Sequence, residues 1–379
     1  MKPPISQRAR QILEQFDPHL TVEASNTPPG SWYTDPEFYQ LEVARVFEKS
    51  WLPIGRIDQL AKPGDYITAD IADNPIVVVR GDDGQLYGHH NVCRHKGAML
   101  AEVEDDSRHR CAFFQCPYHG WEYQLDGRLR KAPMLGPQKN FDVSQYGLVP
   151  VSVDTWGPFV FVDLDGPIGG EGNPRVLHDD LAPIKGPLED LGFEHLKFYK
   201  RFVYDMQCNW KVFADNSLDG GYHVKYAHEG LASGLDMEDF ETHIFPRSSI
   251  QICNTTGDDA RLGAKVMYAY LYPNFFINRY GNMMDTNIVM PVDVDRCRVI
   301  FDFYFDYDDM EAWESRRKIR QSVASSHSIQ QEDIDICESA QRGMQSLAWR
   351  HGRYSSTLER AVHAFHVLLW HELSAGDDA

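Results

Sequence analysis

Long hydrophobic runs are absent from this 379-residue sequence. No stretch reaches the roughly 18 consecutive apolar residues that a membrane-spanning helix needs. The first residues, MKPPISQRARQILEQF, also lack the apolar core of a secretory signal peptide. Repeats and low-complexity tracts are missing as well. The sequence therefore predicts a cytoplasmic globular protein rather than a membrane, secreted or repeat protein.

Positive charge is scarce. Lysine and arginine together number 37 against 56 for aspartate and glutamate, which gives a formal net charge of −19. Negative charge repels phosphate backbones and anionic lipids, so nucleic acid and membrane surfaces are excluded as partners. A cationic ligand or a basic protein partner is compatible with this charge, although solubility alone accounts for it in most acidic proteins.

Cysteine is also sparse, with seven widely separated residues. An odd, scattered set does not fit the disulfide framework of a secreted domain. We therefore expect the protein to work in a reducing compartment, where some of its thiols are free for other roles.

The pattern of the sequence changes along the chain. Residues 45–165 contain short β-type runs separated by Gly, Asp and Pro, which predicts a small all-β domain. Residues 1–44 and 166–379 combine helical patterns with long aromatic β runs. They predict an α+β domain with an antiparallel sheet and helices against one face. Within it, 209–231 is expected to be helical with a weak centre at Gly220–Gly221.

The first candidate metal site has a C-x-H motif followed by a C-x-x-H motif. Its residues are Cys93, His95, Cys116 and His119. Two thiolates and two imidazoles suit either a structural zinc ion or a Rieske [2Fe–2S] cluster. Zinc fingers usually have both Cys before both His, whereas each loop here carries one of each. This order favours two facing loops around a two-iron cluster.

The second candidate site contains His223 and His228. Five residues on a regular helix correspond to a rotation of about 140°, so the helix must distort or end for these rings to converge. Two His and one carboxylate are the ligands of oxygen-activating non-haem Fe(II). The stretch 328–344 offers the carboxylates, and spacing alone does not choose among them: Glu332, Asp333, Asp335 and Glu338.

Together these motifs resemble the Rieske non-haem iron oxygenase α subunits, over nearly the whole chain from Phe38 to Trp370. The resemblance implies a Rieske domain beside a helix-grip catalytic domain, and often a homotrimer. It also implies that the third iron ligand is Asp333, which stands five residues before Glu338.

The resemblance also implies roles for residues before the first ligand His. An acid that couples the two metal sites usually stands three residues before this His, where this chain has Gly220. Asp219 is then the candidate for that role, and Asn216 matches an Asn that lies near the iron in the family.

The implied activity is a hydroxylation with O2. A flavin reductase, a ferredoxin or both pass electrons from NAD(P)H to the [2Fe–2S] cluster and onward to the Fe(II). A pure electron carrier is a rival of another class, but it would need only about a hundred residues and no second His pair.

Four stretches resemble the choline monooxygenase branch of the family, namely 209–235, 272–281, 330–344 and 351–366. The implied substrate is a small quaternary ammonium compound. It would undergo either choline-like oxidation or N-demethylation of the betaine or carnitine type. An aromatic ring-hydroxylating dioxygenase α subunit is the alternative.

Aromatic residues are candidates for binding a quaternary ammonium group, since such a cation has no N–H to donate and is held by aromatic faces. Alternation places Tyr268, Tyr270 and Tyr272 on one face of a strand. Phe276, Tyr280 and Trp349 complete the candidate set. The competing interpretation is that these strand aromatics only pack the core.

Overall fold

The structure is a computed structural model that describes residues 5–101, 109–165, 175–236, 239–257 and 262–375. The side chains of residues 194 and 229 lie outside this description. Two compact units are present, Phe47–Leu177 and the combination of Met1–Val46 with His178–Ala379. No helix among the described residues is long and apolar enough to cross a membrane.

The first unit is built from β-strands. The strands are β1 (Leu52–Arg56), β2 (Asp65–Ile71), β3 (Asn74–Arg80), β4 (Leu86–His90), β5 (His109–Arg110), β6 (Phe114–Gln115), β7 (Glu122–Tyr123), β8 (Leu129–Lys131), β9 (Pro150–Trp156) and β10 (Phe159–Asp163). Seven form an antiparallel sheet in the order β1-β10-β9-β4-β3-β2-β5, and β6-β7-β8 form a second sheet. Val77, Val78 and Val79 of the central β3 are fully buried, as expected for β-branched residues inside a sheet.

The second unit combines helices with another antiparallel sheet. Its helices are α1 (Gln7–Leu13), α2 (Ser31–Thr34), α3 (Pro36–Arg45), α4 (Leu177–Glu189), α5 (Trp210–Leu218), α6 (Val224–Ala227), α7 (Glu229–Ala232), α8 (Trp313–Met344) and α9 (Arg360–Ser374). Its strands are β11 (Lys197–Met206), β12 (Glu241–Ile244), β13 (Ser248–Asn254), β14 (Lys265–Leu271), β15 (Phe275–Tyr280), β16 (Met283–Asp293) and β17 (Arg296–Phe305). They form one sheet in the order β11-β17-β16-β15-β14-β13-β12. The predicted α+β fold is confirmed.

A fully buried ion pair holds the start of α5. The Lys211 ammonium lies 2.6 Å from a Glu42 carboxylate oxygen on α3, and both side chains are fully buried. Trp210 Nε1 donates to the other Glu42 oxygen at 3.1 Å. The Asn209 side chain accepts from the Lys211 backbone N–H and caps the helix. Burial raises the pKa of Glu42 and lowers that of Lys211, while their mutual attraction opposes both shifts.

The longest helix, α8, presents a continuous buried stripe to the rest of the unit. Its buried residues recur at helical spacing: Ile319, Ser322, Ser326, Gln330, Cys337 and Gln341. Several are polar, which is unusual for a core-facing stripe. The buried face of α8 therefore contacts polar surroundings as well as the apolar core.

Candidate metal centres

The two loops of the first candidate site repeat one hydrogen-bonding pattern. Cys93 N–H donates to the Ala98 carbonyl, and Gly97 N–H donates to the Cys93 carbonyl. In the other loop, Cys116 N–H donates to Trp121 and Gly120 N–H donates to Cys116. Both glycines have positive φ, +76° and +69°, a conformation that other residues rarely adopt. Each loop therefore turns its Cys and His side chains in the same way.

These turns bring the side chains of both motifs together. The His95 and His119 rings lie with centroids 4.5 Å apart, and the Cys93 and Cys116 thiols are buried. The His95 ring stacks on Trp121 at 4.9 Å, and its Nδ1 is buried with no hydrogen-bond partner in the described part of the chain. Burial raises the pKa of the Cys93 thiol, so a bound cation is needed to hold its thiolate. This donor set fits a Rieske cluster.

Tyr123 places a hydroxyl beside one of these thiols. Its oxygen accepts from the Arg94 backbone N–H at 3.0 Å and lies 3.2 Å from Cys93 Sγ. Because the oxygen already accepts from Arg94, its own hydrogen is available to the sulfur. Burial raises the pKa of Tyr123, so the hydroxyl keeps this hydrogen.

At the second site, a break in the helix solves the spacing problem of His223 and His228. Helix α5 ends at Leu218, and Gly220 and Gly221 follow with φ of +68° and +73°. The short α6 then separates the two His, and His228 itself has non-helical dihedrals. The predicted weak centre of this segment is thus a true interruption.

His223, His228 and Asp333 converge at this interruption. One ligand atom from each lies within 4.8 Å of the others. Asp333 Oδ1 is 3.1 Å from His228 Nε2 and 3.6 Å from His223 Nε2. Asn216 Nδ2 donates to the same Asp333 oxygen at 2.7 Å. Two imidazoles and one carboxylate at this separation fit a mononuclear non-haem iron.

Each imidazole also has a carboxylate at its other nitrogen. Asp219 Oδ2 is 2.7 Å from His223 Nδ1, and Glu332 Oε2 is 2.6 Å from His228 Nδ1. A carboxylate at Nδ1 holds the proton there and leaves Nε2 free for a metal. Glu332 is one of the four carboxylates that the sequence offers in this stretch, and it contacts His228 Nδ1 while 44% of its side chain stays exposed. Its position directly before Asp333 is the one sequence signal that could have placed it near the second metal site.

Gly220 leaves no room for an acidic side chain. A Cβ at this position would lie 2.3 Å from the Leu358 carbonyl oxygen, and the φ of +68° disfavours any other residue. The preceding Asp219 instead contacts His223, and its carboxylate also accepts from the Tyr222 and His223 backbone N–H groups.

A cavity of about 130 Å³ opens beside this triad. Its aromatic lining consists of Phe213, Phe240, Tyr268, Tyr280 and Phe301. Its polar lining beyond the triad includes Asn216, Ser217, Asp219, Gln251, Asn278, Asp285, Asn287, Ser326 and Gln330. The Phe240 and Tyr268 rings are nearly parallel, with centroids 6.5 Å apart.

Four of the six aromatic candidates are not among the described residues that line this cavity, so the structure does not assemble the predicted cage as one cluster. Tyr270 and Tyr272 share a strand face with Tyr268, but both rings pack against Phe365 of α9. Trp349 lies against Gly30, where its ring atoms are 3.3 Å from an added Cβ. Phe276 packs on Phe213 and Tyr270. Of the aromatic candidates, Tyr268 and Tyr280 are among the described residues that line the cavity.

Comparison with known families gives two matches along this chain. The Rieske [2Fe-2S] domain matches residues 50–146, and the ring hydroxylating alpha subunit (catalytic domain) matches 193–263 and 251–370.

Similar proteins cover nearly the full length. The chloroplastic choline monooxygenase of Arabidopsis thaliana is 42% identical over 96% of this chain and 86% of its own length. The carnitine monooxygenase oxygenase subunit of Acinetobacter pittii is 28% identical over 88% of this chain and 90% of its own length. The structure of the quaternary ammonium Rieske monooxygenase CntA superposes with a TM-score of 0.81, at 25% identity over 98% of this chain and 99% of that one. Naphthalene 1,2-dioxygenase from Rhodococcus, at 19% identity and a TM-score of 0.83, shares the fold.

The chain therefore belongs to the Rieske non-haem iron oxygenases, in the family described as ring hydroxylating alpha subunits. It is an oxidoreductase whose cofactors are a [2Fe–2S] cluster and a non-haem iron.

Proposed function

We propose that this protein is a Rieske monooxygenase that hydroxylates a small quaternary ammonium compound, with O2 and electrons derived from NAD(P)H. The observation that carries this proposal is a small, aromatic-walled cavity that opens directly onto His223, His228 and Asp333. The 42% identity to a choline monooxygenase supports the same substrate class.

The cavity suits a cation without N–H groups. Aromatic faces attract a quaternary ammonium by about 0.5–2 kcal/mol per contact, and Phe240, Tyr268 and Phe301 offer such faces. Beyond the proposed iron ligand Asp333, Asp219 and Asp285 add negative charge to the lining, and the described lining residues include no lysine or arginine. Its electrostatic field therefore favours a positively charged substrate.

We assign the iron ligands to His223, His228 and Asp333, and the cluster ligands to Cys93, His95, Cys116 and His119. When bound, the iron supplies the oxygen-activating chemistry. Asp219 and Glu332 orient the two imidazoles, and Asn216 fixes the Asp333 carboxylate. In addition, Asp219 is the candidate for coupling the iron to the cluster that supplies its electrons.

A ring-hydroxylating dioxygenase acting on flat aromatic compounds is less well supported. Its substrates need a largely apolar slot, whereas Gln251, Asn278, Asp285 and Asn287 put amides and a carboxylate into this cavity.

We further propose a flavin reductase or ferredoxin as electron donor, a homotrimeric assembly and a cytoplasmic location. All seven cysteines lie in the described part of the chain and none forms a disulfide there, which fits a reducing compartment. Light scattering that gives about three times the chain mass would support the trimer, and a monomer mass would overturn it.

The function is tested by oxygen consumption with iron-replete protein, a generic reductase and a substrate panel. The panel contains choline, glycine betaine, carnitine, proline betaine and several aromatic acids, with products identified by mass spectrometry. Oxygen use coupled to an aldehyde or a demethylated amine is expected. Turnover of aromatic acids alone would overturn the proposal.

Removing the carboxylate behind His228 is expected to weaken iron binding. Glu332→Ala deletes the acceptor at Nδ1, and loss of such a partner lowers metal affinity roughly 10–100-fold. Competition with a chelator, followed by metal analysis, measures the affinity. Glu332→Gln should recover part of it, because the amide oxygen still accepts from Nδ1–H. Asp335→Ala is the matched control on the same helix, because the described structure shows Asp335 hydrogen-bonded only to Gln331, away from the iron site. Equal iron affinity in the Glu332 and Asp335 variants would contradict a role of Glu332 in orienting His228.

Removing the Tyr123 hydroxyl is expected to lower the cluster potential. A hydrogen bond to a ligand sulfur stabilises the more negative, reduced state, so Tyr123→Phe should shift the potential down by about 40 mV. A redox titration monitored by electron paramagnetic resonance measures this shift. Tyr146→Phe is the control, because Tyr146 packs near Trp121 in the same core. An unchanged potential in Tyr123→Phe would show that the hydroxyl does not donate to the sulfur.

A further inference from the structure

Three buried polar atoms, on residues that line the cavity, have no hydrogen-bond partner among the described residues. They are Asn287 Nδ2, Ser326 Oγ and Gln330 Nε2. Their residues are only 4%, 5% and 3% exposed, and all three line the cavity. Buried polar groups are nearly always paired in folded proteins, so a group of three without partners indicates a site that a ligand completes.

The positions of these residues tie them to the iron site. Ser326, Gln330 and Asp333 are spaced four and three residues apart, so they share one face of α8. Gln330 stands one turn before the proposed iron ligand Asp333. Asn287 comes from β16 and lies on the same strand face as Asp285, two residues earlier. We call Asn287, Ser326 and Gln330 the polar wall.

The chemistry of the polar wall matches an oxygen atom of the substrate. Two amide N–H groups donate, and a serine hydroxyl both donates and accepts. An alcohol can accept from the amides and donate to the serine. A hydrocarbon would leave all three atoms unpaired.

We propose that the polar wall binds the alcohol oxygen of a cationic amino alcohol, with the ammonium held by the aromatic side of the cavity. This inference rests on the proposed function and narrows it to substrates that carry a hydroxyl. A carboxylate at the same place would add negative charge beside Asp285, and the polar wall offers it only neutral donors.

Binding the alcohol here directs oxidation to the carbon beside it. One atom of O2 enters a C–H bond of that carbon, and the other leaves as water with two electrons from the reductase and two protons. The resulting gem-diol loses water and gives an aldehyde. An N-methyl group, at the other end of the substrate, lies away from this position.

The test compares choline with ethyltrimethylammonium, which has the same ammonium group and chain length but no hydroxyl. Binding is measured by calorimetry under anaerobic conditions, for the wild type and Gln330→Met. The wild type is expected to bind choline roughly tenfold more tightly than the analogue. Gln330→Met should weaken choline roughly fivefold and change analogue binding by less than about twofold.

Controls separate the polar wall from a general defect. Gln331→Met changes the neighbouring glutamine, which is exposed and bonds to Asp335, so it should keep the wild-type preference. An unchanged Rieske absorption spectrum and melting temperature verify folding. If Gln330→Met does not fold, Ser326→Ala supplies the same comparison with a smaller change.

The outcomes distinguish this inference from the proposed function. Equal binding of choline and its analogue by the wild type, or equal weakening of both by Gln330→Met, would overturn the polar wall alone. Tighter binding of glycine betaine than of choline would also overturn it, in favour of a carboxylate. Failure of every quaternary ammonium compound to bind would overturn the proposed function itself.

Discussion

Replacing Asp333 with alanine is expected to abolish product formation and leave the Rieske spectrum intact. Asp333 supplies the one carboxylate in the triad, and its Oδ1 faces Nε2 of both His223 and His228. Two imidazoles alone bind Fe(II) weakly, so the iron should be lost and turnover should fall by about a thousandfold or more. Product analysis, the visible spectrum and the iron content measure the effect, with the iron content expected to fall from about three atoms per chain to about two.

A second acid on the same helix provides the control for this variant. Asp335→Ala removes an equal charge from α8, but Asp335 bonds to the exposed Gln331. It should retain full activity and iron content. Survival of activity in Asp333→Ala would show that another carboxylate binds the iron and would overturn the ligand assignment.

Replacing Glu42 with leucine is expected to cause the largest loss of stability. The Lys211 ammonium would remain fully buried without its carboxylate, and such an uncompensated charge costs about 3–5 kcal/mol. For a unit of this size the melting temperature should fall by roughly 10 °C. Differential scanning calorimetry on the full chain measures it.

A compensating variant distinguishes loss of charge balance from loss of packing. Glu42→Leu combined with Lys211→Met removes both charges, and buried ion pairs replaced by apolar residues often recover their stability. The double variant should therefore recover most of the lost stability, short of the roughly 1–3 kcal/mol that Trp210 Nε1–H costs when it loses Glu42 as its acceptor. A double variant no more stable than Glu42→Leu would show that shape, rather than charge, is responsible. Lys211 lies in the first turn of α5, the helix that carries Asn216. We therefore expect the variants that lose stability to lose activity as well.

The convergence of the two Cys/His loops could be predicted from the sequence because the geometry of each loop is local. Each loop needs only one Cys, one His and a glycine with positive φ within five residues. The Cys, His and Gly spacing in the sequence is therefore almost enough to specify the conformation of each loop. The antiparallel α+β fold was also predictable, since long aromatic β runs followed by helices have few other arrangements.

Other parts of the site depend on packing between distant segments. Spacing does not show which acid of 328–344 contacts His228, and only the approach of α8 to α6 brings Glu332 to this ring. Tyr268 and Tyr270 have the same strand face, but α9 covers one ring and leaves the other at the cavity. Alternation in a strand predicts which face of the sheet a residue lies on. Whether that residue packs in the core or lines the cavity depends on which helix covers it.

The crowding at Gly220 has an evolutionary consequence. An acidic side chain at this position would collide with the Leu358 carbonyl unless the segment around Leu358 moved first. A single substitution therefore cannot move the acid from residue 219 to residue 220. A chain with a side chain at 220 and an unchanged Leu358 segment would be strained by this clash and less stable. A mutational library should find position 220 nearly restricted to glycine, and moving the acid from 219 to 220 should require paired changes in both segments.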